Sequence, residues 1–334
     1  MGGKGRDRRA RNKVLRLQLG NLGAHLVGIQ EARNPVWPRA ADDFWITSSG
    51  TTTAQDDTGG QGVELWINRK LPYAKVGPRE LCFGKSHFKA LFSSPRALFV
   101  CLSAPSLSIT VAVLHAPHTK RPPEERKTFW EAVRPLCERW SPQIILTDAN
   151  AKLGSVVSDV VGGFGFSQQQ DSNGQELHDL ASASGLPIVN TLVPDPESGH
   201  TFTELGGSQH RIDYVLTDFY MLDKVSECRV LYSFDNVMSC RDHHPLLVSF
   251  SWACSPFEVS IGRCAKLDPR RLASPSDVAE FQSLLDDKLW SPWSVDMNVH
   301  LDSLSTQVFD AAASCVAYAI KTPSKPYVSS PALC

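Results

Sequence analysis

Residues 97–114 run for eighteen positions without a charge, the length at which a membrane helix has to be considered. Pro105 interrupts the run, and Ser103, Ser106, Ser108 and Thr110 place hydroxyls within it. Its apolar residues form two short blocks, Leu98-Phe99-Val100-Cys101-Leu102 and Ile109-Thr110-Val111-Ala112-Val113-Leu114. Two buried strands joined by a turn explain this pattern better than a membrane helix does. A chain built on such strands needs apolar layers on both sides of its sheet.

Further short strands are expected at Leu26–Ile29, Gly62–Ile67, Ile144–Leu146, Arg211–Leu216 and Leu246–Phe250. Helices are expected between them. Leu15, Leu19, Leu22 and Leu26 share one helical face, and Pro122-Pro123 with Glu124 and Glu125 opens a helix that runs to about Trp140. Asn173-Gly174 opens another, closed by Gly185, after which Leu186-Pro187-Ile188-Val189-Asn190 is expected to extend. This alternation predicts a layered α/β domain over residues 1–252. Residues 253–334 change texture, with helices expected at 277–289 and 300–320, and read as a helical C-terminal extension.

At 334 residues, with 42% hydrophobic and 21% charged, the chain has the composition of a folded protein. The net charge of −1 excludes a uniformly basic nucleic-acid coat, but seven basic residues against Asp7 give the first sixteen residues +6. Nine scattered cysteines without a Cys-x-x-Cys pair read as reduced intracellular thiols. No membrane partner is expected.

Four clusters place acids, amides or a histidine at strand ends: Gln30-Glu31, Asp148-Ala149-Asn150, Arg211-Ile212-Asp213-Tyr214 and Asp242-His243-His244-Pro245. Singly, each has an ordinary reading as a surface acid or a turn. Together and in this order, they resemble the endonuclease/exonuclease/phosphatase superfamily, which includes DNase I and the apurinic endonucleases. The resemblance spans about residues 8–250. It implies a four-layer α/β sandwich, two stacked mixed β-sheets flanked by helices, and a Mg²⁺-dependent phosphodiester hydrolase, with Mn²⁺ as the alternative ion.

Within that resemblance, the carboxylate of Glu31 on a rigid strand end suits a hard cation, and Asp242 assists on the opposite side. His243 is the expected general base or phosphate ligand, with Asp213 accepting from its other ring nitrogen. Asp148 orients or deprotonates the attacking water, and the Asn150 amide donates to a non-bridging oxygen. His115, in His115-Ala116-Pro117-His118, stands where many family nucleases carry the tyrosine of Tyr-x-Pro-Asn. It can donate to phosphate, or it can be a histidine satisfied by neighbouring loops.

His210-Arg211-Ile212-Asp213-Tyr214 departs from the Cys-Asp-Arg-Ile of phosphoinositide phosphatases and favours the nuclease side. Val189-Asn190-Thr191 and His200-Thr201-Phe202-Thr203 resemble the endonuclease domains of non-LTR retrotransposons. Such a protein acts on nucleic acid, DNA first, inside the cell, and in the nucleus if it derives from a retroelement. Its C-terminal extension then resembles a connector toward a reverse transcriptase. The family begins with a strand ending in Asn; none precedes Arg8, so the first strand of the sandwich is expected to be missing. A catalytically impaired remnant that only binds nucleic acid, and a phosphatase of the same superfamily, are the alternatives.

Overall fold

The computed structural model describes residues 13–32, 39–41, 43–50, 62–76, 78–105, 107–165, 167–197, 199–204, 206–235, 242–251, 271, 274–286 and some positions between 304 and 315. Met1–Ser255 and Pro256–Cys334 form two compact units. The first opens with helix α1 (13–21). Strands β1 (Leu26–Ile29), β2 (Arg39–Ala41), β3 (Phe44–Ser48) and β4 (Glu64–Asn68) follow and pair antiparallel in the order β1-β4-β3-β2. After a small hairpin of β5 (Ala74–Val76) and β6 (Arg79–Leu81) come β7 (Phe88–Ser94), β8 (Ala97–Ala104) and β9 (Leu107–His115).

The long uncharged segment is thus the antiparallel pair β8 and β9, turning near Pro105. Among the described residues, no helix is long and apolar enough to cross a membrane. Helix α2 (Pro123–Trp140) starts on its proline and ends at Ser141, whose left-handed backbone lets its N–H donate to the Cys137 carbonyl. It carries the chain over to β10 (Ile144–Asp148), which lies parallel to β9.

Helix α3 (Ser172–Ser184) is capped by the Asp171 carboxylate, which accepts from Gly174 N at 2.7 Å. The segment expected to extend through Asn190 instead becomes the single turn α4 (Val189–Leu192), with only Ile188 bridging to Leu216. The reason lies in two side chains. Thr191 Oγ1 donates to Ile188 O at 2.7 Å, closing the turn, while Asn190 Nδ2 donates to Asp213 O in place of a backbone group. The hairpin β11 (Phe202–Thr203) and β12 (Gln209–His210) leads to β13 (Asp213–Thr217), completing a mixed sheet ordered β13-β10-β9-β8-β7. Helix α5 (Phe219–Leu222), β14 (Val225–Val230) and β15 (Leu246–Phe250) follow.

Side-chain alternation along the strands sorts the core into three apolar layers. Leu65 and Ile67 of β4 meet Leu98, Val100, Leu102, Val111 and Val113, filling the space between the two sheets. Phe99, Ala112, Leu114 and Ile145 point the other way, onto Trp130 and Val133 of α2 and Leu177 and Leu180 of α3. Trp66, Phe44 and Ile46 face Leu19 of α1. Helix, sheet, sheet and helices are therefore the four layers of an α/β sandwich.

Leu26 of β1 and Leu246 and Val248 of β15 pack into the inter-sheet layer, while Val27, Ile29 and Leu247 pack into the α1 layer. The two strands share both layers, yet among the described residues no ladder joins them. In the second unit, helix α6 (Pro275–Asp286) places Phe281 and Leu284 against Ala312 and Cys315. Most of the helix expected at 300–320 lies outside the described residues.

The two sheets meet at Gly28, where a Cβ would stand 2.8 Å from Leu146 Cβ and 3.4 Å from Val113 Cγ1. Gly28→Val should destabilise the domain by about 1–3 kcal/mol through overpacking. Thermal unfolding should show a lowered midpoint; an unchanged midpoint would mean that the sheets are not in contact there.

Candidate active site

Three strands end side by side. In the ladder, Asp148 closing β10 is paired with His115 closing β9 on one side and with Asp213 opening β13 on the other. Three chemically active side chains thus stand abreast on one edge of the mixed sheet, placed by register. Asp148 is buried at 6% exposure and His115 at 5%, so neither is a plain surface group. His115 Nε2 lies 3.7 Å from Asp148 Oδ2.

Backbone hydrogen bonds fix the turn that follows Asp148. Its carbonyl accepts from Ala116 N at 2.9 Å, and Ala149 N donates to Ile212 O at 3.0 Å, tying it to both neighbouring segments. Asn150 adopts φ 45°, a left-handed conformation that asparagine tolerates better than most residues. There its N–H donates to Asp148 Oδ1 at 3.1 Å, and its Nδ2 donates to Ala116 O at 3.0 Å. The amide has a second N–H to give.

His243 comes from far along the chain and meets the same edge. Its Nδ1 is 3.2 Å from Asp213 Oδ2, so an ionised Asp213 holds the proton on Nδ1. Phe202 lies against the imidazole with ring centroids 4.9 Å apart. Asp242 supports the backbone here: its carbonyl accepts from Thr203 N and its Oδ1 accepts from His243 N. One ligand atom from each of Asp148, Asp213 and His243 falls within 4.8 Å of the others, a group able to hold a metal ion.

Electrostatics mark the same spot. Burial, then the charges of Asp213 and Glu31, push the Asp148 carboxyl up to about 8, against the opposing pull of His243 and the Asn150 N–H. For His243, burial works against the charged ring, but Asp213, Asp148 and Asp242 outweigh it and push the imidazole up to about 10. Glu31 sits just beyond β1 at φ 50° with an exposed side chain, close enough for its charge to act on Asp148 and on Arg96. Neither Glu31 nor Asp242 belongs to the compact three-residue group.

Several residues that serve this edge were not singled out as site residues in the sequence. Asn173 is fully buried; it accepts from Trp130 Nε1 and donates to Pro117 O and Asn150 O, clamping the loops after β9 and β10 together. Thr201 Oγ1 accepts from Ile212 N and Asp213 N. Arg211, buried at 8% exposure, donates to the carbonyls of Gly199, Phe164 and Asn190. At Gly165 and Gly199 a Cβ would fall 2.2 and 2.0 Å from that guanidinium, and both glycines have positive φ. Arg96 donates to His115 O at 3.3 Å. Their signal in the sequence was an amide, hydroxyl or cation beside a motif, and such residues are common in loops.

No protein-family model matches the chain. It is 24% identical over 244 residues to Craniofacial development protein 2 of Tragulus javanicus and of Bos taurus. Those matches cover 71% of this chain and only 39% and 38% of the relatives, so the chain spans about two fifths of their length. The fold is similar to that of an AP endonuclease from Leishmania major (TM-score 0.51, 13% identity, 72% of this chain and 82% of that one). It is also similar to a 3′-5′ exonuclease from Neisseria meningitidis (TM-score 0.50, 18% identity, 73% and 96%). The endonuclease domain of TRAS1, a telomere-specific non-LTR retrotransposon, aligns more loosely (TM-score 0.47, 20% identity, 73% and 95%). What the chain shares with the AP endonuclease and the 3′-5′ exonuclease is the fold, a layered α/β sandwich.

The two raised groups give a signed pH dependence. Each holds its proton more tightly in the folded chain, so each favours folding at low pH. That contribution declines from about pH 4 to about 8 for Asp148, and from about 6.5 to about 10 for His243. The metal-free protein should therefore lose thermal stability from pH 6 to pH 9, and Asp148→Asn should flatten the lower part of the decline. A wild-type midpoint that rose over this interval would contradict the placement.

Proposed function

We propose that the edge formed by His115, Asp148, Asp213 and His243 is the active site of a metal-dependent phosphodiester hydrolase that nicks DNA, of the non-LTR retrotransposon type. The observation that carries this reading is the convergence of Asp148, Asp213 and His243 at one strand edge of a nuclease-superfamily fold. Carboxylates dominate the neighbourhood, and burial, with the charges of Asp213 and Glu31, holds Asp148's proton where a plain carboxyl would have lost it. Such a site fits a divalent cation. Glu31 and Asp242, whose charges act on Asp148 and on His243, would hold Mg²⁺, or Mn²⁺ in its place, beside the group of Asp148, Asp213 and His243 and leave Asp148 and His243 for proton chemistry.

When bound, the cation would draw charge from the phosphate oxygens and ease ionisation of the groups around it. Asp148, ionised in that field, orients the attacking water and takes its proton. Asn150 gives its second amide N–H to a non-bridging oxygen. His243, with Nδ1 held by Asp213, presents Nε2 toward the phosphate and neutralises charge gathering there. His115 provides a further donor beside Asp148. As the water oxygen bonds to phosphorus, the bond from phosphorus to the 3′-oxygen breaks and that oxygen takes a proton from solvent, leaving a 3′-hydroxyl on one strand end and a 5′-phosphate on the other.

A second reading draws on the unjoined pair β1 and β15: a nucleic-acid binder without turnover. Nicking of supercoiled plasmid in Mg²⁺ separates the two. The hydrolase reading expects nicking by the wild type and a loss of about 10²–10⁴-fold in Asp148→Asn and in His243→Ala. Mn²⁺ titration followed by electron paramagnetic resonance should show weakened binding in Glu31→Gln and retained binding in Asp148→Asn. Salt-sensitive binding with no nicking would leave the second reading, and equal nicking by all variants would remove these residues from the chemistry.

A further inference from the structure

Beside the catalytic edge, a cavity of about 210 Å³ opens between the loop after Asn150 and the strand leading to Asp213. Lys152, Ser167, His200, Gln209, His210 and Arg211 line it, together with Leu153 and two glycines, and no carboxylate does. The lining is polar and its fixed charge is positive. Arg211 gives three of its five N–H groups to backbone carbonyls, which leave its charge uncancelled. Lys152 Nζ lies 3.2 Å from His210 Nε2. An ammonium carries three N–H bonds, so Lys152 has at least two left to give. The Glu204 carboxylate meets the same ring nitrogen at 3.2 Å from a half-exposed position outside the cavity lining.

Lys152 follows Asn150 by two residues and His210 precedes Asp213 by three, spans of about 7 and 10 Å at most for extended chain. The cavity is therefore a near neighbour of the reacting group and not part of it. An anion is the ligand that suits two fixed cations without a carboxylate, and a strand of nucleic acid brings one phosphate after another. We propose that this cavity is a second phosphate subsite, in which Lys152 and His210 seat a backbone phosphate flanking the one that is cut. It rests on the phosphodiesterase reading for the strand that occupies it. Lys152 binds and positions; it takes no part in bond breaking.

The test is equilibrium binding of a fluorescent oligonucleotide by wild type, Lys152→Gln and Lys152→Arg across a salt series, which needs no turnover. Lys152→Gln should weaken binding about tenfold and reduce the slope of log affinity against log salt by about 0.7–0.9, the loss of one phosphate contact, while Lys152→Arg restores both. Kinetics supply a second arm. Lys152→Gln should raise KM for the oligonucleotide and leave hydrolysis of bis(p-nitrophenyl) phosphate, which has no flanking phosphate, at the wild-type rate. Unchanged affinity and slope in Lys152→Gln would overturn the subsite even if the enzyme cuts. A Lys152-dependent slope in a protein that cuts nothing would keep the subsite and remove the hydrolase reading.

Discussion

Two carboxylates on adjacent strands, Asp148 and Asp213, face each other across an antiparallel pair, and the rest of the site answers that repulsion. Like charges opposed in a sheet are unfavourable, and burial makes them more so. The structure offsets this in two visible ways. His243 brings a positive ring against Asp213, and Asp148 retains its proton well above the ordinary carboxyl range. A divalent cation would be a third way, which is why the arrangement reads as chemistry and not as packing.

Holding such a group in place takes a rigid surround. Backbone groups at the strand ends have run out of ladder partners, and buried side chains replace them. Asn190 accepts from Val215 N and donates to Asp213 O, so one amide stands in for a missing strand residue. Asn173 does the same for the loops after β9 and β10, and Thr201 for the start of β13. Arg211 binds three loop carbonyls at once. The cost of leaving any of these buried donors unpaired is what keeps the loops in one conformation.

Much of the architecture was legible in the sequence because it follows local rules. The uncharged run with Pro105 near its middle resolved into β8 and β9, and the helix opened by Pro122-Pro123 ran to Trp140 as α2. Alternation of side chains along β4, β8 and β9 carried the layering. What failed was the segment through Asn190, where a side-chain amide and a threonine hydroxyl replaced the expected strand by one helical turn. Apolar patterning has no view of such substitutions. The candidate site was legible only as a set of motifs in order; that Asp148, His115 and Asp213 are ladder partners is a matter of register, which single motifs do not carry.

The proton held at Asp148 is the property on which the site depends. Carboxyl ¹³C chemical shifts followed by nuclear magnetic resonance through a pH titration measure it directly. In metal-free protein, the Asp148 carboxyl should titrate near 8, and saturating Mg²⁺ should move the transition downward as the cation balances the neighbouring carboxylates. A metal-free transition in the ordinary range near 4, unmoved by Mg²⁺, would contradict the claim that these strand ends form a crowded anionic site awaiting a cation.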